Sequence, residues 1–327
     1  MRIALYKDTL ANNRGADRAV RNLAAGLVER GHEAVLFEKP ELMVRLRERW
    51  DVIISTGTNE LLDLVAAGRR LPPVIQQFHT DPAYQFRHWL RRWRRNRAIK
   101  AALTSVSAIQ VLRRQQVKWL CENVGRLEST VHMAVIGNWS DIAPVSGRNG
   151  DPDKVVIYPG AINRDKNQEL LIRSFVIVRD DFPEWRLEFY GTGSPDNERR
   201  IRNIAERSRN DGRISFKGHC ELREAYARCA FVALPSKTEG FSLVIAEAAS
   251  FGKPTVMVQD WIGTVAAGGG IVTEPSARAY AEGLRRLMSD MPLCRQMGEI
   301  AQRFCAECYS RAKILDQWES LLENVVK

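Results

Sequence analysis

Apolar residues in this chain come in two alternating forms. Short runs such as Arg2–Tyr6 (RIALY) and Glu33–Phe37 (EAVLF) fit strands of a sheet covered on both faces. Between them, a stretch from about Ala16 to Arg30 has its apolar positions at helical spacing and stops at Gly31-His32. Asp51–Ser55 and Val74–Gln77 read as two more short buried strands. The alternation restarts at Lys154–Tyr158. It continues through a helix over Asn167–Val178, a strand at Arg186–Tyr190, a helix over Asp196–Arg209 and a strand at Ile214–Lys217. Ala230–Leu234 and Pro254–Val258 complete it. Two such series predict an α/β chain of two Rossmann-like, doubly wound parallel-sheet domains. The Gly-, Pro-, Asn- and Asp-rich segment Ser146–Asp153 separates them. The expected organisation is therefore an N-terminal domain over 1–146, a linker over 147–153 and a C-terminal domain over 154–311. A final helix over 312–327, with Ile314, Trp318, Leu321, Leu322 and Val325 on one stripe, is expected to pack back toward the N-domain.

Charge adds an asymmetry to this picture. Residues 1–150 hold 24 Lys+Arg against 14 Asp+Glu, whereas residues 151–327 hold 25 of each. The whole excess of +10 thus sits in the first half, which points to an anionic partner for that half alone. Its densest part runs from Pro82 to Cys121, with ten basic residues and no acid. There Phe86, Trp89, Leu90 and Trp93 form one helical stripe, and Arg91, Arg92, Arg94 and Arg95 lie among them. Three readings compete for this stretch: a core helix with a solvated arginine face, a helix lying on anionic lipid or contacting an anionic acceptor, or nucleic-acid binding. No recognition motif accompanies the last, so no nucleic acid is expected. No apolar run approaches the ~18 residues of a spanning helix. The start reads as a strand rather than a signal peptide. A cytoplasmic protein, with peripheral contact at the cytoplasmic face of a membrane, is expected. Cys305 and Cys308 form one C-x-x-C without a second pair, and helix positions explain them better than a metal.

Candidate chemistry concentrates in Leu234–Ser250 (LPSKTEGFSLVIAEAAS). A Pro-Ser turn leads through Glu239-Gly240 into a helix carrying Glu247. Glycine lets backbone approach a ligand, and the first helical N–H groups are unpaired donors at the positive end of the helix dipole. Carboxylates at 239 and 247 can accept from sugar hydroxyls, which a phosphate-only site would not need. In the first half, Phe78-His79-Thr80-Asp81 follows a strand, at the sheet edge where α/β proteins bind ligands. His79 is the catalytic candidate there. A nicotinamide-binding start is disfavoured, because the first loop has Gly15 but no G-x-G-x-x-G. The loop Gly191-Thr192-Gly193 has Asp196 where a third glycine would be.

Together these residues resemble family 4 of the retaining glycosyltransferases of the glycosyl transferases group 1 type, with the GT-B fold of two such domains facing across a cleft. Glu239, Gly240, Phe241, Ser242, Leu243 and Glu247 match its Glu-x7-Glu element, and Gly252-Lys253-Pro254 follows in register. Gly160–Lys166 (GAINRDK) parallels its diphosphate-gripping segment, with Ala161 where that family has arginine and Arg164 in the same loop. The resemblance implies Glu247 at the nucleotide ribose, and Glu239 with the Gly240–Leu243 backbone at the sugar and diphosphate. It also implies Lys166 and Arg164 at the departing phosphate, and Gly15, Gly160, Gly191 and Gly193 along the donor. His79 would contact the donor sugar or orient the acceptor. The implied enzyme (EC 2.4 type) is metal-independent and needs no cofactor beyond a nucleotide-sugar co-substrate, UDP- or GDP-linked. Asp151-Pro152-Asp153, which matches a metal signature of another glycosyltransferase architecture, reads as a turn. The expected reaction transfers a sugar to a glycan or lipid-linked, anionic acceptor in lipopolysaccharide or other cell-envelope polysaccharide synthesis. A sugar-nucleotide epimerase or a non-catalytic binding protein of the same fold is the alternative.

Overall fold

A computed structural model describes the 327 residues except 11–14, 69, 87–92, 126, 128–130, 143–151 and 209–210. Arg14, Trp89, Arg91, Arg92 and Asp151, and most of the segment 147–153, lie outside the described residues. The chain forms two compact units. One is Met1–Trp139 together with Arg311–Lys327; the other is Ser140–Ser310.

The first unit holds β1 (Arg2–Tyr6), β2 (Glu33–Phe37), β3 (Val52–Ser55), β4 (Val74–Gln77), β5 (Ala108–Val111) and β6 (His132–Val135). They pair in parallel in the order β2-β1-β3-β4-β5-β6. Its helices include α1 (Gly15–Glu29), α2 (Thr58–Ala66), α3 (Pro82–Phe86), α4 (Trp93–Leu103) and α5 (Arg114–Val124). In α1 the buried positions Val20, Leu23 and Leu27 recur at helical spacing. Gly31, at φ 85°, ends that run by donating its N–H to the Val28 carbonyl at 2.9 Å. The chain moves from β1 outward to β2 and then returns to β3 on the other side. The order therefore reverses beside β1, and a crevice opens outside the carboxyl ends of β1 and β3.

One of the open readings narrows here. Phe86 is buried, but Trp93 is 47% exposed and stands outside the core. The buried stripe of α4 is instead Asn96, Ile99, Ala102 and Leu103, which pack on the sheet and α2. Arg94, Arg97 and Ala98 share the exposed face with Trp93. Arg95 turns back and donates to Asn59 Oδ1 at 2.5 Å, at the start of α2.

The second unit repeats the architecture with β7 (Val155–Pro159), β8 (Arg186–Tyr190), β9 (Ile214–Gly218), β10 (Phe231–Leu234), β11 (Thr255–Met257) and β12 (Gly270–Val272). These strands are parallel, in the order β12-β11-β10-β7-β8-β9. Its helices are α6 (Gln168–Val178), α7 (Pro195–Arg207), α8 (Arg223–Arg228), α9 (Leu243–Ser250), α10 (Ala277–Ser289) and α11 (Met291–Tyr309). The start of α7 follows from its sequence. Ser194 accepts from the Asn197 N–H at 3.4 Å, Pro195 takes the first position, and Asp196 and Glu198 sit at the positive end of the dipole. The chain runs β7-β8-β9 in one direction, then returns to β10 on the other side of β7. The reversal lies between β7 and β10.

The last helix, α12 (Arg311–Val326), belongs to the first unit, where it packs on α1 and β3. Ile314, Leu315, Trp318, Leu321 and Leu322 are buried. Gly26 makes the close approach possible, since a Cβ there would lie 2.7 Å from Leu315 Cδ2. Arg30 pairs with Asp316 at 2.6 Å and Glu319 at 3.1 Å along the same contact. Cys305 and Cys308 are helix positions on α11. Burial pushes the Cys305 thiol up to about 12, which makes it unreactive.

Candidate active site

The reversal between β7 and β10 selects two loops, 160–167 and 235–242, both leaving the carboxyl edge of the second sheet. They are joined twice. The Lys237 N–H donates to the Asp165 carbonyl at 2.8 Å, and Lys166 Nζ meets Glu239 Oε1 at 2.5 Å. Glu239 and Lys166 are both largely covered, with side chains 11% and 25% exposed. The first loop reaches this position through internal caps. Asn163 Oδ1 accepts from the N–H groups of Asp165 and Lys166, each at 3.0 Å, and Asn167 takes a left-handed φ of 54°.

Tyr158 and Gln168 brace the same loop from below. Gln168 Nε2 donates to Tyr158 Oη at 3.0 Å and to the Ala161 carbonyl at 2.8 Å. The Tyr158 hydroxyl donates to that carbonyl at 3.3 Å. Burial, then the nearby Glu239 charge, pushes the Tyr158 phenol well above its ordinary pKa, so it stays a neutral donor. Neither brace was legible in the sequence, because a tyrosine in an apolar strand and a glutamine opening a helix read as packing.

A third loop, 191–194, is laced to the first. The Gly160 N–H donates to the Tyr190 carbonyl at 2.7 Å and the Ile162 N–H to the Thr192 carbonyl at 2.9 Å. Gly191 and Gly193 are explained by this contact. A Cβ on Gly191 would lie 2.2 Å from the Gly160 oxygen, and one on Gly193 would lie 2.2 Å from the Ile162 oxygen. Gly160 itself has φ 154°, with the Tyr158 hydroxyl beneath it.

Beyond Glu239, Gly240 is buried and Ser242 opens α9 without capping it. The hydroxyls of Ser236 and Ser242 are shielded from solvent and make no hydrogen bond among the described residues. Leu243 is the first residue of α9, whose leading N–H groups have no acceptor within the helix. Phe241 is packed edge-on against Tyr309, with centroids 5.0 Å apart, and so holds the loop down. Glu247 is 2% exposed, and its Oε2 accepts from the Tyr226 hydroxyl at 2.7 Å. Arg164 is exposed.

In the first unit, His79 follows β4. Both its ring nitrogens are shielded and have no partner among the described residues, and its remaining exposure comes from other atoms. Burial, then the Lys7 charge, lowers its pKa to about 3, so the ring is neutral at ordinary pH. Lys7, at the end of β1, is fixed by buried Glu60 at 3.1 Å, which also accepts from the Asp8 N–H. Gly57 leaves room for this carboxylate, since a Cβ there would lie 2.3 Å from Glu60 Oε2. Asp81 pairs with Arg113 at 2.8 Å. Glu60 carried no signal in the sequence, where it looks like a solvated helix residue. Gly15 is the first residue of α1.

Comparison with known proteins identifies the family and the fold. The family described as glycosyl transferases group 1 matches residues 141–304, within the second unit. An exopolysaccharide phosphotransferase of Streptomyces coelicolor is 29% identical over 68% of this chain and 24% of its own length. A D-inositol 3-phosphate glycosyltransferase of Corynebacterium glutamicum is 30% identical over 53% of this chain and 44% of its own. The chain thus spans about a quarter to a half of these relatives. Among solved structures, sucrose-phosphate synthase of Thermosynechococcus elongatus superposes with a TM-score of 0.82 at 17% identity, over 99% of this chain and 98% of that one. Anabaena HepE in complex with UDP gives 0.80 at 18% identity, over 99% and 100%. Both likenesses concern the fold, which is that of GT-B glycosyltransferases. By its sequence match, its two six-stranded sheets and its Glu239–Glu247 element, this chain belongs to the glycosyl transferases group 1 family.

Proposed function

We propose that this chain is a retaining glycosyltransferase that takes a nucleotide sugar as donor and a glycan or lipid-linked acceptor of the cell envelope. The observation that carries the reading is the Lys166–Glu239 contact between the two loops at the β7–β10 reversal. It places an ammonium and a carboxylate beside the first turn of α9, where helix N–H groups favour phosphate. In this reading Glu239 accepts from hydroxyls of the donor sugar, and Glu247 from the ribose once Tyr226 shares it. Lys166 and Arg164 offset the charge that grows on the leaving diphosphate, which is where electrostatic stabilisation lowers the barrier. These cations supply that charge without a metal. His79, neutral, acts as a hydrogen-bonding group toward sugar or acceptor rather than as a cation.

The acceptor side rests on α4. Its exposed face carries Trp93, Arg94 and Arg97 in a stretch without acids, which suits an anionic acceptor or the anionic cytoplasmic face of a membrane. UDP in a complex of HepE supports a uridine donor, and a GDP-linked donor is the second candidate. A thermal-shift panel of UDP-, GDP-, ADP- and CMP-sugars tests the donor half: one base should raise the melting temperature selectively. No stabilisation by any of them would remove the proposal.

A further inference from the structure

Loop 235–242 presents a cation that the family resemblance does not assign. Lys237 stands two residues before Glu239, and its backbone is fixed against the donor loop by the bond to the Asp165 carbonyl. Its side chain is exposed, and among the described residues it has neither an ion-pair nor a hydrogen-bond partner. The charge around it is unbalanced in a particular way. Lys166 is already matched by Glu239 at 2.5 Å, so that pair brings no net charge to an incoming diphosphate. Ala161 brings none either. Its carbonyl, moreover, is held by Tyr158 and Gln168, so this part of the loop is anchored around an acceptor that cannot bind phosphate. Arg164, next to Asp165, is the other cation of the two joined loops without a partner among the described residues.

We infer that Lys237 is a further phosphate-contacting cation of this chain, acting beside Arg164 and Lys166 at the two joined loops. The inference rests on the nucleotide-sugar reading. A lysine is suited to the place, because a flexible stem and a point charge reach a phosphate without the fixed fork geometry an arginine requires. Its anchored backbone removes part of the ordering cost of that reach. Because Lys237 and Glu239 leave the same short loop, Lys237 ties the grip on phosphate to the position of the sugar-contacting carboxylate.

The test compares affinities of the whole chain for UDP and uridine, with GDP and guanosine alongside, by isothermal titration. The readout is the ratio of diphosphate to nucleoside affinity, which a merely structural change would leave in place. Lys237→Ala should lower that ratio about tenfold and leave nucleoside binding unchanged. Lys237→Arg should restore most of it. Arg286→Ala, an exposed cation in the last turn of α10, should have no effect. If the unaltered protein prefers neither diphosphate to its nucleoside, the nucleotide-sugar reading falls and this inference with it. If the unaltered protein discriminates and Lys237→Ala does so equally, the inference alone is overturned.

Discussion

Lys166 and Glu239 neutralise one another at 2.5 Å before any ligand arrives, so an uncharged replacement of matching shape at either position tests its role most cleanly. A partly exposed pair of this kind contributes about 0–1 kcal/mol to stability. Its cost to transfer should be larger, because both groups act where charge and hydroxyls of the donor meet the protein. Lys166→Met or Glu239→Gln should reduce kcat/KM by roughly 100- to 1,000-fold, the range for losing one stabilising donor. Their unfolding midpoints should be measured alongside, because Lys166→Met leaves a largely covered carboxylate without its cation. His79 carries the opposite balance. Its pKa is about 3 in the folded protein and ordinarily 6.5, so the unfolded chain gains a proton first as pH falls. The stability it contributes is whole above about pH 6.5 and is lost progressively toward pH 3. Urea titrations across that window should show a steeper decline for the parent than for His79→Gln, and parallel curves would dismiss the effect. Gly193 offers a third check: Gly193→Ala would drive a methyl into the Ile162 carbonyl and should lower the melting temperature, as a loop-packing glycine requires. Glu239 was legible from its own local element, and Lys166 only through the resemblance of its loop. Tyr158, Gln168, Lys7 and Glu60 were not, because each acts through a partner brought close only by the sheet.

Elements were legible to the extent that their apolar pattern was strong. Strands such as Arg2–Tyr6 and Glu33–Phe37 fall where the runs predict, because five apolar-rich residues between helices have few other uses. β5 carries Gln110, β6 carries His132 and β12 has three residues, and none of them stands out as a strand in isolation. Pairing with neighbours, rather than their own composition, makes them strands. The aromatic stripe through Trp93 left its burial open for a related reason. Helical spacing alone cannot tell a core stripe from an exposed one, and Ile99 and Leu103 set the buried face of α4 instead. The terminal helix could be read from its stripe, and its packing gives a sharp test. Trp318→Ala should cost about 3–5 kcal/mol, as for other buried tryptophans, measured by chemical unfolding. Gly26→Leu should act in the same direction by pushing Leu315 away.

At the scale of the whole molecule, the uneven charge is the clearest property read from sequence alone. An excess of +10 confined to residues 1–150 should make association with anionic surfaces a property of the first unit. Co-sedimentation with anionic vesicles should be strong at low salt and should weaken as the Debye length shrinks toward ~3 Å at 1 M. Replacing Trp93, Arg94 and Arg97 by alanine, serine and serine should weaken it further. Equal binding to neutral vesicles, indifferent to salt, would count against the electrostatic account.

The assignment of α12 to the first unit has a consequence for the order in which the protein is made. The second unit is one uninterrupted stretch, Ser140–Ser310, whereas the first lacks part of its core until residues 311–326 exist. On the ribosome, synthesis at about 5–20 residues per second leaves α1 and β3 waiting, apolar surface uncovered, while the whole second unit emerges. The second unit should thus reach its native state first, and the first unit, translated before it, should be the last to close. Arrested nascent chains ending shortly after Ser310 should resist protease over 154–304 while remaining cleavable within 15–66.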